Sequence, residues 1–135
     1  MKSLEPVLTV VFMMISFFLM APAVQAGPPE IKVARVHAQA MLDEAEQMMS
    51  HGDQGHLDTM MRHAKAMIKY AQESIEAMPG SEHGKDAVRH MKEAIDHAEE
   101  VISRGRSGNL EMAMAHANKA FSHAKQGAKY ANALK

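Results

Sequence analysis

Cysteine and tryptophan are both missing from this chain. Without cysteine there can be no disulfide, thiolate zinc site, iron–sulfur cluster, covalently attached c-type haem or lipidated N-terminal cysteine. An exported chain of this size must then be held together by helix packing, by a ligand, or by both. Aromatics are scarce as well, with two Tyr and four Phe. Three of those Phe precede residue 27, so a core of packed rings is excluded for the rest. Neither sign of charge dominates: 15 Lys plus Arg face 16 Asp plus Glu, which leaves no basic footprint for a nucleic acid. There is no His-Glu-x-x-His pair, no nucleophile elbow and no phosphate-cradling Gly loop preceded by a strand. No enzymatic activity is expected.

Met1 to Ala26 reads as a cleaved secretory signal. It has Lys2, a mostly apolar run from Val7 to Met20, and Val24-Gln25-Ala26 with small residues where a signal peptidase reads them. The apolar run is shorter than the about 20 residues of a membrane span. Residues 27–135 are therefore expected in the periplasm as one His-rich domain, without stable membrane insertion.

After Gly27-Pro28-Pro29 the chain is rich in Ala, Met, Glu, Lys and Gln, all good helix formers. Breakers recur at Gly52-Asp53-Gln54-Gly55, Pro79-Gly80-Ser81 and Gly105-Arg106-Ser107-Gly108. They predict four helices, near 30–51, 56–78, 83–104 and 109–134. Ser81 and Asn109 fit N-caps, and Gly52 and Gly105 fit left-handed C-terminal residues. Short connections make successive helices antiparallel neighbours, so the expected fold is all-α, an up-down-up-down antiparallel four-helix bundle. Sliding the chain by 53 residues aligns His37–Ile75 with His90–Ala128 at 12 identities in 39 positions. The bundle reads as a duplicated helical hairpin.

Each helix carries two stripes at spacings of three and four. The apolar stripe runs Ile31, Ala34, Ala38, Leu42, Ala45 and Met49 in the first helix, and Leu57, Met61, Ala64, Ile68, Ala71, Ile75 and Met78 in the second. It continues as Val88, Met91, Ile95, Ala98 and Ile102 in the third, and Leu110, Ala113, Ala117, Ala120, Ala124 and Ala131 in the fourth. These residues are expected to form a core of small buried area, hence a marginal fold.

The second stripe consists of ligand types. The third helix alternates imidazole and carboxylate: His83, Asp86, His90, Glu93, His97 and Glu100. Residues three or four apart lie about 5–6 Å apart at Cβ, close enough to grip one ion. Successive His, seven apart, are separated by a rise of about 10.5 Å, so a full site needs a neighbouring acid, a neighbouring helix or water. The first helix offers His37, Met41, Glu44, Met48 and His51, and the segment leading through the second offers Asp53, His56, Met60, His63, Met67 and Tyr70. The fourth offers Met112, His116, Lys119, His123, Gln126 and Tyr130.

A single His on an amphipathic helix is ordinarily a solvated boundary residue, but nine in phase point to ligation. Imidazole suits copper, zinc and nickel, and thioether suits Cu(I); copper is expected first, with zinc or nickel as weaker occupants. Met61, Met91 and Met114 fit core positions. Met41, Met48, Met60 and Met67 share the His stripe, yet packing is the more ordinary role of Met. Tyr70 and Tyr130 fit helix-end anchors. Two rival readings use the same residues: a b-type haem bundle with Met and His axial ligands, and a metal-independent periplasmic chaperone or partner-binding module.

The segments His51-Gly52-Asp53-Gln54-Gly55-His56-Leu57-Asp58, Arg62-His63-Ala64-Lys65, Arg89-His90-Met91-Lys92-Glu93-Ala94-Ile95-Asp96-His97-Ala98-Glu99-Glu100 and Ala115-His116-Ala117-Asn118-Lys119-Ala120-Phe121-Ser122-His123-Ala124-Lys125 resemble the small metal-binding protein family. Its members are exported, Cys-free helical bundles of His-initiated seven-residue repeats that bind copper and other divalent cations. The resemblance implies a periplasmic protein that sequesters or buffers metal ions. It implies His37, His51, His56, His63, His83, His90, His97, His116 and His123 as ligands; Asp86 and Glu93 join them from the third-helix stripe. Glu44, Tyr70, Arg104, Asn109 and Tyr130 stand where the repeat would place His, so fewer or weaker ions are expected here. The high Met content is a further departure.

Overall fold

The computed structural model describes the fold of residues 28–135; the expected signal, residues 1–26, lies outside the described residues. Four helices follow one another: α1 (Pro28–Asp53), α2 (Leu57–Glu76), α3 (Glu82–Arg106) and α4 (Leu110–Asn132). Each end falls within two residues of its sequence expectation. The α1/α2 and α3/α4 pairs pack most extensively, and α1/α4 and α2/α3 complete the ring. The result is the expected antiparallel four-helix bundle, with α1/α2 and α3/α4 as two hairpins on opposite sides. No helix among the described residues is long and apolar enough to cross a membrane.

Local chemistry sets the helix ends. Ser81 Oγ accepts a hydrogen bond from Gly84 N–H at 3.2 Å, and Asn109 Oδ1 accepts one from Met112 N–H at 3.0 Å. Each satisfies a donor that the first helical turn leaves unpaired. The left-handed turn residues are Gly55 and Gly108, both at φ 73°, a matched pair under the 53-residue duplication. Gly52 and Gly105, expected in that role, instead lie buried within the last turns of α1 and α3. Met114 Sδ of α4 sits over Gly52, and Met61 of α2 sits over Gly105. A side chain at those points would have to displace a thioether from the other hairpin.

The core is made of Ala and Met. Ala34, Ala38, Ala45, Ala64, Ala71, Ala98, Ala113, Ala117, Ala120, Ala124 and Ala131 are fully buried, as expected. So are Met41, Met48, Met60 and Met67, which the sequence places on the ligand stripe. The expected core residues Leu42, Met49, Leu57, Ile68, Ile75, Ile95, Ile102 and Leu110 are only partly buried and pack around the centre. The apolar stripe is therefore wider than drawn and centred about one residue away in α1 and α2. Close helix approach across Ala leaves narrow, irregular gaps that an unbranched thioether fills and a branched side chain does not. One buried polar group bridges the helices: Ser74 Oγ donates to the Ala34 carbonyl at 2.8 Å.

Gly84 tests this packing. A Cβ there would overlap the backbone carbonyl of Pro79, whereas nothing lies within 4 Å of one at Gly80. Gly84→Ala is expected to cost about 1–3 kcal/mol in denaturant unfolding, and Gly80→Ala to change stability by less than about 0.5 kcal/mol. Equal effects would contradict the close approach at the start of α3.

Candidate metal centre

Every His in the bundle immediately precedes a residue that faces the core: Ala38, Gly52, Leu57, Ala64, Gly84, Met91, Ala98, Ala117 or Ala124. One residue is a turn of about 100°, so each imidazole leaves its helix at the border between core and solvent. Two such borders meet along each hairpin, giving a ligand-lined seam between α1 and α2 and another between α3 and α4.

The α3/α4 seam is a zipper of rings drawn alternately from the two helices. His83 lies 6.1 Å from Tyr130 between ring centroids, Tyr130 is stacked on His90 at 5.7 Å, and His90 meets His123 at 5.5 Å. His123 stacks on His97 at 5.8 Å, and His97 meets His116 at 5.5 Å. Within this zipper, His90, Glu93 and His123 bring three ligand atoms together. The Nδ1 atoms of His90 and His123 are 3.2 Å apart. Glu93 Oε2 lies 3.4 Å from His90 Nδ1 and 2.9 Å from His123 Nδ1. Ligand atoms held about 2.0–2.1 Å from one ion are about 2.9 Å apart at a right angle and about 3.3 Å apart at the tetrahedral angle. The triangle matches that spacing, and its two imidazoles and one carboxylate form a donor set suited to a borderline divalent ion.

Two helical turns along, His97 and His116 oppose their Nδ1 atoms at 3.3 Å, a two-imidazole pair with no carboxylate in the group. The α1/α2 seam is built differently, because Glu44 and Tyr70 stand in its ladder. His63 Nδ1 pairs with Glu44 Oε2 at 2.7 Å, and His37 stacks on Tyr70 with centroids 6.1 Å apart. His37 Nδ1 lies 3.0 Å from Glu73 Oε2 but has no hydrogen-bond partner, so the contact is a close approach with poor hydrogen-bond alignment. His51 stacks on His63 at 5.1 Å and tilts against His56 at 5.8 Å.

The environment favours neutral imidazole, the form that ligates. Partial burial lowers the His90 pKa, and the nearby positive charge of Arg89 lowers it further against the opposing pull of Glu93. Burial also lowers His97, assisted by His116 and Lys119. His51 is lowered by desolvation first, then by His63 and His56.

The structure thus gathers His90, Glu93 and His123 into one site and His97 and His116 beside it. His37, His51, His56 and His63 line the opposite seam. His83 is exposed at the end of the zipper, and Asp86 pairs with Arg89 at 3.0 Å outside the triangle. Sequence reasoning missed Glu73 as the acid facing His37. The duplication carried the signal, since Glu73 is the counterpart of Gln126, a member of the fourth-helix stripe.

Residues 4–127 match the model of a protein family described as small metal-binding protein. No curated protein matches the chain.

The lowered pKa values make metal-free stability depend on pH. Below the ordinary His value of about 6.5 the unfolded chain takes up protons that folded His51, His90 and His97 resist, so stability falls with pH there and is level above it. The melting temperature of metal-free protein should hold between about pH 7 and 8 and decline below about pH 6.5. His97→Gln should shrink the decline, and a melting temperature that rises on acidification would contradict the assignment.

Proposed function

The chain belongs to the small metal-binding protein family, and from that membership and the His90–Glu93–His123 triangle we propose that it sequesters and buffers transition-metal ions in the periplasm, copper foremost, without catalytic turnover. The triangle is the observation that carries this reading. Three donors from two helices converge at ion-ligand spacing, on a surface whose neighbouring rings are further imidazoles.

Copper is favoured by the donors. Two imidazoles with one carboxylate form an N/O set, and Cu(II) heads the divalent affinity order on such sets, ahead of nickel and zinc. The site is shallow: the His90 side chain is 15% exposed and that of His123 31%, but that of Glu93 is 42% exposed. An ion held there keeps access to water or to an incoming ligand on the Glu93 side, as reversible exchange requires. Binding would replace the direct contact of the His90 and His123 nitrogens with a shared positive partner and would fasten α3 to α4. His97 with His116, and the His of the α1/α2 seam, supply weaker capacity around it.

Titration of chelator-stripped protein with Cu(II) and then Zn(II) at pH 7.5 tests the proposal. His90→Ala/His123→Ala should weaken the tightest site about tenfold or more, a loss of at least about 1.4 kcal/mol, while His37→Ala on the opposite seam leaves it unchanged. Affinity should also fall at pH 5, where protons compete for imidazole. Metal at about 100 times its dissociation constant should stabilise the fold by about 2.7 kcal/mol, reversed by chelator. Unchanged binding in the double variant would refute the site.

A further inference from the structure

Thioethers occupy the centre of this bundle while Leu and Ile surround it. At the end that carries the two Gly turns, two thioethers from different helices converge on one backbone position. A Cβ at Gly52 of α1 would overlap Met114 Sδ of α4 and lie 3.1 Å from Met60 Sδ of α2. Both sulfurs touch the same point, so they lie no more than about 5 Å apart; one ion with metal–sulfur bonds of about 2.3 Å spans up to about 4.6 Å between them.

His51 is the residue before Gly52 in α1. Its ring touches His56 and His63, which are four residues before and three after Met60. It therefore lies over the turn of α2 that carries Met60. Its Nδ1 is buried without a hydrogen-bond partner, an uncompensated desolvation that a bound cation would relieve.

We propose that Met60 and Met114, with His51 at the mouth, form a site for a soft monovalent cation, Cu(I), distinct from the divalent site on the α3/α4 seam. Neutral thioethers prefer Cu(I). The absence of a carboxylate among these three donors fits a single positive charge, which is far less costly to bury than a double one. Gly52 is the residue that makes room: any side chain there displaces Met114 sulfur from the position where the two thioethers meet. The seam and the core would then divide copper by oxidation state.

Anaerobic titration of the purified protein with Cu(I), in competition with a chromophoric Cu(I) chelator, reads this site, and Zn(II) titration reads the seam. Met60→Leu/Met114→Leu should weaken Cu(I) binding at least about tenfold and leave Zn(II) binding unchanged. His90→Ala/His123→Ala should do the reverse, so failure of one site is distinguishable from failure of the other. Equal Cu(I) affinity in the methionine variant and the parent overturns the proposal. Should that variant not fold, Ag(I), a redox-inert stand-in for Cu(I), is added to the parent protein with its methionine methyl groups observed by NMR. Shifts at Met60 and Met114 at one equivalent support the site; shifts confined to exposed Met112, or none, overturn it.

Discussion

Close approach of the helices across alanine is the constraint on which the rest of the structure depends. Helix axes pack about 8–10 Å apart according to the side chains between them, and a core whose buried positions are mostly Ala brings them toward the lower limit. Side chains one position off that core then meet across the hairpin. His90 and His123 place nitrogens 3.2 Å apart, and His97 and His116 do so at 3.3 Å. Leucine in place of those alanines would spread the helices and part the imidazoles. The same closeness leaves the narrow central space to methionine and the rim to Leu and Ile, so one cause sets both the ligand spacing and the composition of the core.

Duplication explains why there are two seams, and divergence explains why they differ. The His90–His123 pair corresponds to His37–Tyr70, and His97–His116 corresponds to Glu44–His63. At each pair the first hairpin carries a phenol or a carboxylate where the second carries an imidazole. Glu44 holds His63 in a hydrogen bond at 2.7 Å, and Tyr70 stacks on His37, whose Nδ1 stays without a hydrogen-bond partner. In the second hairpin the imidazoles face one another with lowered pKa values at His90 and His97. Each pair is joined by a short nitrogen–nitrogen contact, and the group of three ligand types found among the described residues lies there.

The helices, their order and the alternation of imidazole and carboxylate along α3 were legible in the sequence, because each is written at fixed spacing on one helix. The sequence reading held that a full site needs a neighbouring acid, a neighbouring helix or water, and the His90, Glu93 and His123 group brings together an acid and a second helix. What it could not give was the phase between helices. Met60 and Met67 lie in register with His56 and His63, so periodicity alone groups them as one stripe. Only the crossing of α2 with its neighbours shows that the border falls between them, with the thioethers inside. Gly52 and Gly105 were misread for a related reason: a glycine near a helix end looks like a stop signal, whereas its role here is set by a sulfur on another helix.

The seams also determine how far an ion can influence the molecule. The His90–Glu93–His123 triangle draws on α3 and α4 alone, and the pairs of the opposite seam draw on α1 and α2 alone. The hairpins meet through other contacts, including Met114 over Gly52, Met61 over Gly105 and Arg35 donating to the Ala131 and Leu134 carbonyls. On the proposed reading, an ion on one seam would tighten its own hairpin directly and reach the other through these contacts, among which the thioethers are soft and adjust by rotation about single bonds. On that reading the bundle would load one seam without reorganising the other, and its capacity would grow by adding nearly independent sites instead of by switching between global states.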